Sequence, residues 1–364
     1  MEPVFVSETH SVLKTDALNL LQTLISTPSL SREEDKTAQI IEQFLKTRGV
    51  KTYRKKNNVW AFNKHYKTGL PGILLNSHHD TVKANTSYTR DPLSPEIKDG
   101  KLFGLGSNDA GGALVSLLAT FLHFHDKPDL TYNLIIAATA EEEVSGNDGI
   151  ALIYPDLGPV SFAVVGEPTQ MQLAIAEKGL MVLDCNAHGI SGHAAREEGD
   201  NALYKAIDAI QWFRTYKFQK VSPWLGEMKM SVTMIQAGTQ HNVVPDICRF
   251  TVDVRHTEMY TQEEVLELIT GHVTCDVKPR SMRMKPSSIP VEHPIVRAGL
   301  DLGRKAYGSP TTSDQALIPA QSLKIGPGDS ARSHTADEFI YVAEIEEGID
   351  LYIAMLSKII NRKS

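Results

Sequence analysis

The sequence predicts an α/β protein: a mostly parallel sheet flanked by helices, interrupted by a small inserted α+β unit. Three observations carry this. Short continuous apolar runs, Ile73–Leu75, Leu134–Ala138 and Phe162–Val165, are bounded by turn residues, the pattern of strands buried on both faces. An apolar helical stretch from Ala113 to about Phe124 separates the first two, which gives the strand–helix–strand order of a parallel sheet. The patterning then changes at about Lys178, in a chain of 364 residues that exceeds one core of ordinary size.

The elements follow in order. Leu13, Ala17, Leu20, Leu21 and Leu24 recur at helical spacing, and Thr27-Pro28-Ser29 stops that helix. Ser31-Arg32-Glu33-Glu34 reads as a capping box opening a second helix, with Ile40, Ile41, Phe44 and Leu45 on one face and Gly49 at its end. After the buried strands, Leu180–Ala187 alternates like a half-buried strand. Asn201–Phe213 reads as an amphipathic helix, Met230–Gln236 and Ile247–Val254 as strands, Glu263–Ile269 as a helix and Val273–Val277 as a strand. That βαββαβ order is the one of ferredoxin-like domains. A helix over Pro294–Tyr307 and a strand over Ser322–Ile325 then resume the first style. The expected organisation is a large domain over 1–177 and 289–364, with an inserted domain over 178–288.

Composition narrows the function. A net charge of -7 and a pI near 6.0 argue against nucleic acid as a partner, since phosphate binding needs a basic surface. The run Arg54-Lys55-Lys56 reads as a solvated edge or loop. Cys185, Cys248 and Cys275 form no CxxC pair and so no disulfide framework or thiolate metal site. No basic-then-apolar leader opens the chain, and no apolar run approaches the ~20 residues a membrane helix needs. A cytoplasmic location is expected, without a membrane partner.

The metal-ligating residue types fall in telling places. His78, His79 and Asp80 follow the first buried strand, Glu141, Glu142 and Glu143 the second, and Glu167 the third; His334 lies in a loop after Ser322–Ile325. Ligands of open α/β sheets bind beyond the carboxyl ends of the strands, so these clusters can converge. Asp109 sits in the glycine-rich loop Gly104–Gly112 before a helix and can join them, or serve only as a helix N-cap. That loop reads GxGxxD and is no dinucleotide fingerprint, and no GxSxG elbow is present.

Five segments, in order, resemble the aminoacylase, acetylornithine deacetylase, succinyl-diaminopimelate desuccinylase and carboxypeptidase G family. Ser77-His78-His79-Asp80-Thr81-Val82 is similar to its HxD metal motif, and Gly104–Asp109 to its glycine loop with a bridging aspartate. Thr139–Gly146 is similar to its paired-glutamate motif. Val165–Thr169, and Gly326-Pro327-Gly328 leading to Ser333–Glu338, match its later ligand segments. The resemblance implies a zinc-peptidase-like fold whose inserted domain is a lid and dimerisation domain, binding two Zn2+ ions, with Co2+ as a substitute. It implies that His78 and Glu167 hold one ion, Glu143 and His334 the other, and Asp109 bridges both. Asp80 would orient His78, and Glu142 would be the general base, the two glutamates diverging along an extended backbone. His193, in Gly189–Ala195, would stabilise the oxyanion in the partner subunit's site, and Asn242 and Arg255 would contact the substrate carboxylate.

The resemblance is greatest to the acetylornithine deacetylase branch, so the expected activity is removal of an acetyl group from an N-acyl amino acid in arginine biosynthesis, by a homodimer. A deacylase of N-acetyl- or N-succinyl-citrulline, a di- or tripeptidase, and a non-catalytic binding protein on the same fold are the alternatives. Two departures stand out: many relatives carry arginine where Leu105 sits and lysine where Gly111 sits. These are expected to mark a different acyl or side-chain preference.

Overall fold

A computed structural model describes residues 8–361. The chain divides into two compact units, one of residues 1–175, 288–307 and 313–364, the other of residues 176–287 and 308–312.

The first unit is built on a mixed sheet whose four central strands are parallel. Their order is Asn133–Thr139, Gly72–His78, Val160–Val165 and Gln321–Lys324. Antiparallel strands flank them: Asn58–Phe62 and then Thr52–Lys55 on one side, Leu173–Glu177 on the other. The apolar runs are continuous because each strand feeds two cores. Ile73, Leu75, Leu134, Ile136, Phe162 and Val164 join one core with helices Glu8–Ile25, Asp35–Lys46, Gly112–His125 and Val342–Ile360. Leu74, Ile135, Ala137, Ala163 and Val165, the alternate residues, join a second core with Ile150, Ile153 and Leu157 on the opposite face.

The second unit carries a four-stranded antiparallel sheet in the order Lys229–Ala237, Ile247–His256, Gly179–His188, Asp276–Pro279. Helices Ala202–Thr215 and Gln262–Thr270 accompany it, and together they give the ferredoxin-like arrangement. Asn201 caps the first helix by accepting from Leu203 N, and a Thr261/Glu264 capping box opens the second.

Several expectations are corrected. The second helix begins at Asp35 with no side-chain cap, because Ser31 donates to Asp80 and Glu34 is fully buried elsewhere. The helix expected over Pro294–Tyr307 ends at Asp301, and Ala306–Ser309 is a strand; Gly303, at φ +79°, breaks the run. Val342–Ile360 was not anticipated, although Ile345, Ile349, Tyr352, Ile353, Leu356 and Ile360 make a buried helical face. A short sheet pairing Phe339–Tyr341 with Lys101–Phe103, and that with Glu96–Lys98, was also missed. Arg54, Lys55 and Lys56 are each paired with an aspartate (Asp35, Asp156 and Asp148), as a solvated edge would have it.

Candidate metal centre

Three adjacent parallel strands end on the same side and deliver the first residues. His78 is the last residue of Gly72–His78, Glu142 and Glu143 lie in the turn after Asn133–Thr139, and Glu167 follows Val160–Val165. The Gly104–Gly112 loop brings Asp109, and the loop after Gln321–Lys324 brings His334. That is the crevice in which open α/β sheets take their ligands.

The side chains converge around Asp109. His78 Nε2 lies 3.3 Å from Asp109 Oδ1, 3.9 Å from Glu167 Oε1 and 3.9 Å from Glu142 Oε2. His334 Nε2 lies 3.6 Å from Asp109 Oδ2 and 3.1 Å from both oxygens of Glu143. Two donor sets result, His78/Asp109/Glu167 and Asp109/Glu143/His334, each with one ligand atom per residue and all such atoms within 4.8 Å. Asp109 is common to both and turns a different oxygen to each.

Asp80 does more than face His78. His78 Nδ1 lies 3.0 Å from the backbone carbonyl of Asp80 and 3.4 Å from its carboxylate, so the carbonyl is the closer partner for the ring. The carboxylate accepts from Glu142 N (3.1 Å), Glu143 N (3.2 Å) and Ser31 Oγ (2.7 Å). Glu142 and Glu143 therefore sit in a turn held by Asp80, not on extended backbone. Glu34 supports the same turn from behind, accepting from Glu141 N. His79 takes no part: its ring is buried between Thr37 and the Asn57 carbonyl, and burial pushes its pKa down to about 4.

Charge is unbalanced here. Asp109, Glu142, Glu143 and Glu167, each only partly accessible, face two imidazoles, of which His78 is buried and His334 exposed. Burial, reinforced by neighbouring carboxylates and opposed by His78, pushes Glu142 well above the usual carboxylate range and Glu167 up to about 8. Burial lowers the His78 imidazolium, but contacts with Asp109 and Asp80 outweigh it and the net shift is upward. Glu143 holds His334 up to about 9. A nitrogen-and-oxygen donor set with surplus negative charge and an aspartate shared between two clusters fits a pair of divalent cations.

The other predicted residues lie on the second unit. His193 pairs with Val243 across a two-residue bridge, and the Asn242 carbonyl accepts from Ala194 N, so His193 and Asn242 are neighbours and both exposed. His193 Nδ1 accepts from Ala195 N at 3.1 Å, which leaves the proton on Nε2. Arg255 already has partners: Nε and Nη2 donate to Asp253 (2.9 and 3.0 Å) and Nη1 to Thr312 Oγ1 (3.2 Å).

The two departures have a packing explanation. A Cβ on Gly111 would lie 2.4 Å from the Gly106 carbonyl oxygen and 2.6 Å from Leu21 Cδ1. Leu105 is buried, and the cavity that it lines with Leu21, Leu24 and Leu114 holds about 20 Å³, too little for a substrate. Two buried acids escaped sequence reasoning. Glu338 accepts from Gly106 N, Asn108 N and Asp109 N (3.2, 2.9 and 2.9 Å), and Asp314 accepts from Thr139 Oγ1 (2.7 Å). Nothing in a loop sequence separates buried Glu338 from its neighbour Asp337.

Comparison with known proteins points to one family. The model of peptidase family M20/M25/M40 matches residues 74–358. An acetylornithine deacetylase of Proteus mirabilis is 31% identical, the match covering 90% of this chain and 93% of that protein. A succinyl-diaminopimelate desuccinylase of Corynebacterium glutamicum is 26% identical over 91% of this chain and 94% of its own. Among solved structures, a dinuclear metal-binding peptidase of the M20 family from Bacillus subtilis superposes with a TM-score of 0.72 at 17% identity, covering 96% and 98% of the two chains.

Proposed function

This chain belongs to peptidase family M20/M25/M40, a family of metal-dependent hydrolases, and we propose that it is a dinuclear zinc deacylase releasing acetate from an N-acetyl amino acid, N-acetylornithine first among them. The observation that carries the metal count is Asp109, with Oδ1 toward His78 and Oδ2 toward His334. In this reading His78 and Glu167 hold one ion, Glu143 and His334 the other, and Asp109 both; Co2+ is an acceptable substitute. Two ions so held would supply Lewis acidity, polarising the scissile carbonyl and lowering the pKa of the attacking water.

The chain's own residues do the remaining work. Glu142, partly buried and 3.9 Å from His78, takes a proton from the attacking water and delivers it to the leaving amine. Asp80 fixes Glu142 by its backbone amide, so the base is held by its main chain. His193, with Nε2–H free to donate, stabilises the oxyanion in the partner subunit's site. Asn242 contacts the substrate carboxylate, and Arg255 joins it through donor capacity left beyond Asp253 and Thr312.

The homodimer reading rests on the second unit. Lys229–Ala237 is a terminal strand of its sheet, and Met234 and Ile235 on it are 64% and 53% exposed. Tyr204 and Ile207 on the helix Ala202–Thr215 are exposed too. An open edge beside apolar side chains is what a second copy covers. Among the described residues no helix is long and apolar enough to cross a membrane.

Amine release by the zinc-loaded protein tests the substrate, with N-acetylornithine and N-acetylcitrulline side by side. A tenfold or greater preference for the ornithine compound, about 1.4 kcal/mol of discrimination, supports the proposal. Preference for the citrulline compound moves the substrate to the neutral side chain, and turnover of neither, with di- and tripeptides cleaved, replaces it by a peptidase.

A further inference from the structure

We propose that Glu338 is a positioning residue that locks the Asp109 loop to the His334 loop, so that the two metal sites are formed or lost together. The inference rests on the ligand assignment above.

Glu338 is 2% exposed, yet its carboxylate faces three main-chain donors from a single loop. Oε1 accepts from Asn108 N and Asp109 N, each at 2.9 Å, and Oε2 accepts from Gly106 N at 3.2 Å. One donor is thus the amide of Asp109 itself, so the carboxylate sets the position of the shared ligand's backbone directly. The local fold explains the meeting. Phe339–Tyr341 pairs antiparallel with Lys101–Phe103, and Gly104 N donates to the Glu338 carbonyl at 3.0 Å. The register therefore delivers Glu338 beneath the glycine loop. Gly104 and Gly106, at φ +146° and +74°, let that loop curl around the carboxylate.

The other end of the same five-residue segment is His334. A second weld lies beside it: Asn108 Oδ1 accepts from Asp329 N at 2.9 Å, and Asn108 Nδ2 donates to the Asp329 carbonyl at 3.1 Å. The loop carrying Asp109 and the loop carrying His334 therefore move as one piece. A buried carboxylate with three amide donors is an anion receptor built from main chain, and its removal leaves those amides unpaired. Because Asp109 serves both donor sets, a shift of its loop weakens both sites, whereas loss of an ordinary ligand-orienting residue weakens one.

Length and charge can be separated. Glu338→Gln keeps the reach but turns an amide NH2 toward Gly106 N–H or toward the other two. Glu338→Asp keeps the charge but is one methylene too short to span Gly106 and Asp109. Asp337→Asn is the control: Asp337 accepts from Thr89 N and Arg90 N (2.9 and 3.0 Å), a tie that does not reach Asp109. Metal-free full-length protein is titrated with Zn2+ by calorimetry and with Co2+ by visible absorption, with circular dichroism to establish folding.

Wild-type protein binding two ions, with both E338Q and E338D losing at least tenfold affinity at both steps and D337N within threefold of wild type, is the expected result. Loss of one step only, or wild-type binding by E338Q, overturns the coupling, and retention of both steps by E338D overturns the requirement for reach. A wild-type chain that binds fewer than two ions overturns the ligand assignment instead, and this inference with it.

Discussion

Gly111→Ala is expected to destabilise the protein although its backbone suits alanine. Gly111 has φ -57° and ψ -40°, ordinary helical values, so no conformational strain enters. Fixing a glycine as alanine in such a conformation gains about 0.4–1 kcal/mol through the unfolded chain. Against this, the new Cβ would stand 2.4 Å from the Gly106 carbonyl oxygen, nearly 1 Å inside contact, and 2.6 Å from Leu21 Cδ1. Leu21 can rotate away. The carbonyl cannot, because Gly111 N donates to it at 3.0 Å and the Gly106 amide is held by Glu338. Overpacking against immobile atoms costs ~1–3 kcal/mol, and a main-chain clash belongs at the upper end, so a net loss of about 2 kcal/mol is expected. Urea melts of metal-free protein by circular dichroism measure it. Zinc affinity is expected to fall about tenfold in the same variant, since the displaced loop carries Asp109. Leu21→Ala in the same chain relieves only one of the two clashes and should not restore either quantity. A G111A protein within 0.5 kcal/mol of wild type, binding zinc normally, would refute the reasoning and show that the loop yields.

Three further outcomes are expected. Glu142→Gln lowers kcat by about 10²–10⁴ while the protein still retains its metal by elemental analysis; activity within tenfold of wild type would remove Glu142 as the base. If the chain is the proposed homodimer, Met234→Lys or Ile235→Lys places charge on the open strand edge and yields a folded monomer in sedimentation, and a variant that still sediments as a dimer would place the interface elsewhere. Burial holds the His256 imidazole below its usual 6.5, so the unfolded chain takes up more protons as the pH falls through that value. The stabilisation from neutral His256 is therefore complete above about pH 6.5 and declines below it. The stability difference between wild type and His256→Gln should narrow between pH 7.5 and 5, and a constant difference would refute the assignment.

The strands were legible because each is apolar on both faces, so Ile73–Leu75, Leu134–Ala138 and Phe162–Val165 could be neither surface nor loop. Placing acids and histidines directly after them was enough to group His78, the glutamates and Glu167. His334 and Asp109 are harder, since loops of any length can travel far; position after a strand or before a helix lets them join the cluster, and the resemblance gives them their ligand roles. What remained hidden was backbone work by side chains. Asp80 reads as a partner of His78 and does face its ring at 3.4 Å, but its carboxylate also accepts from the amides of Glu142 and Glu143. Glu34 was read as a capping residue and instead anchors Glu141. Leu105 and Gly111 read as marking a substrate preference, and the structure adds what a sequence does not show, that a Cβ at Gly111 would meet the Gly106 carbonyl.

The discontinuity of the first unit sets a timetable. His78, Asp109 and Glu167 all precede the inserted segment, so one proposed donor set is present once the chain has been made to Glu167. His334 arrives 167 residues later, after the whole second unit. At ~5–20 residues per second that interval is on the order of ten seconds or more, far longer than local folding requires. Glu338, the clamp on the Asp109 loop, arrives later still. The nascent chain thus spends that time with the residues of one donor trio synthesised but the Asp109 loop unclamped, so neither site is complete until the segment carrying His334 and Glu338 has been made.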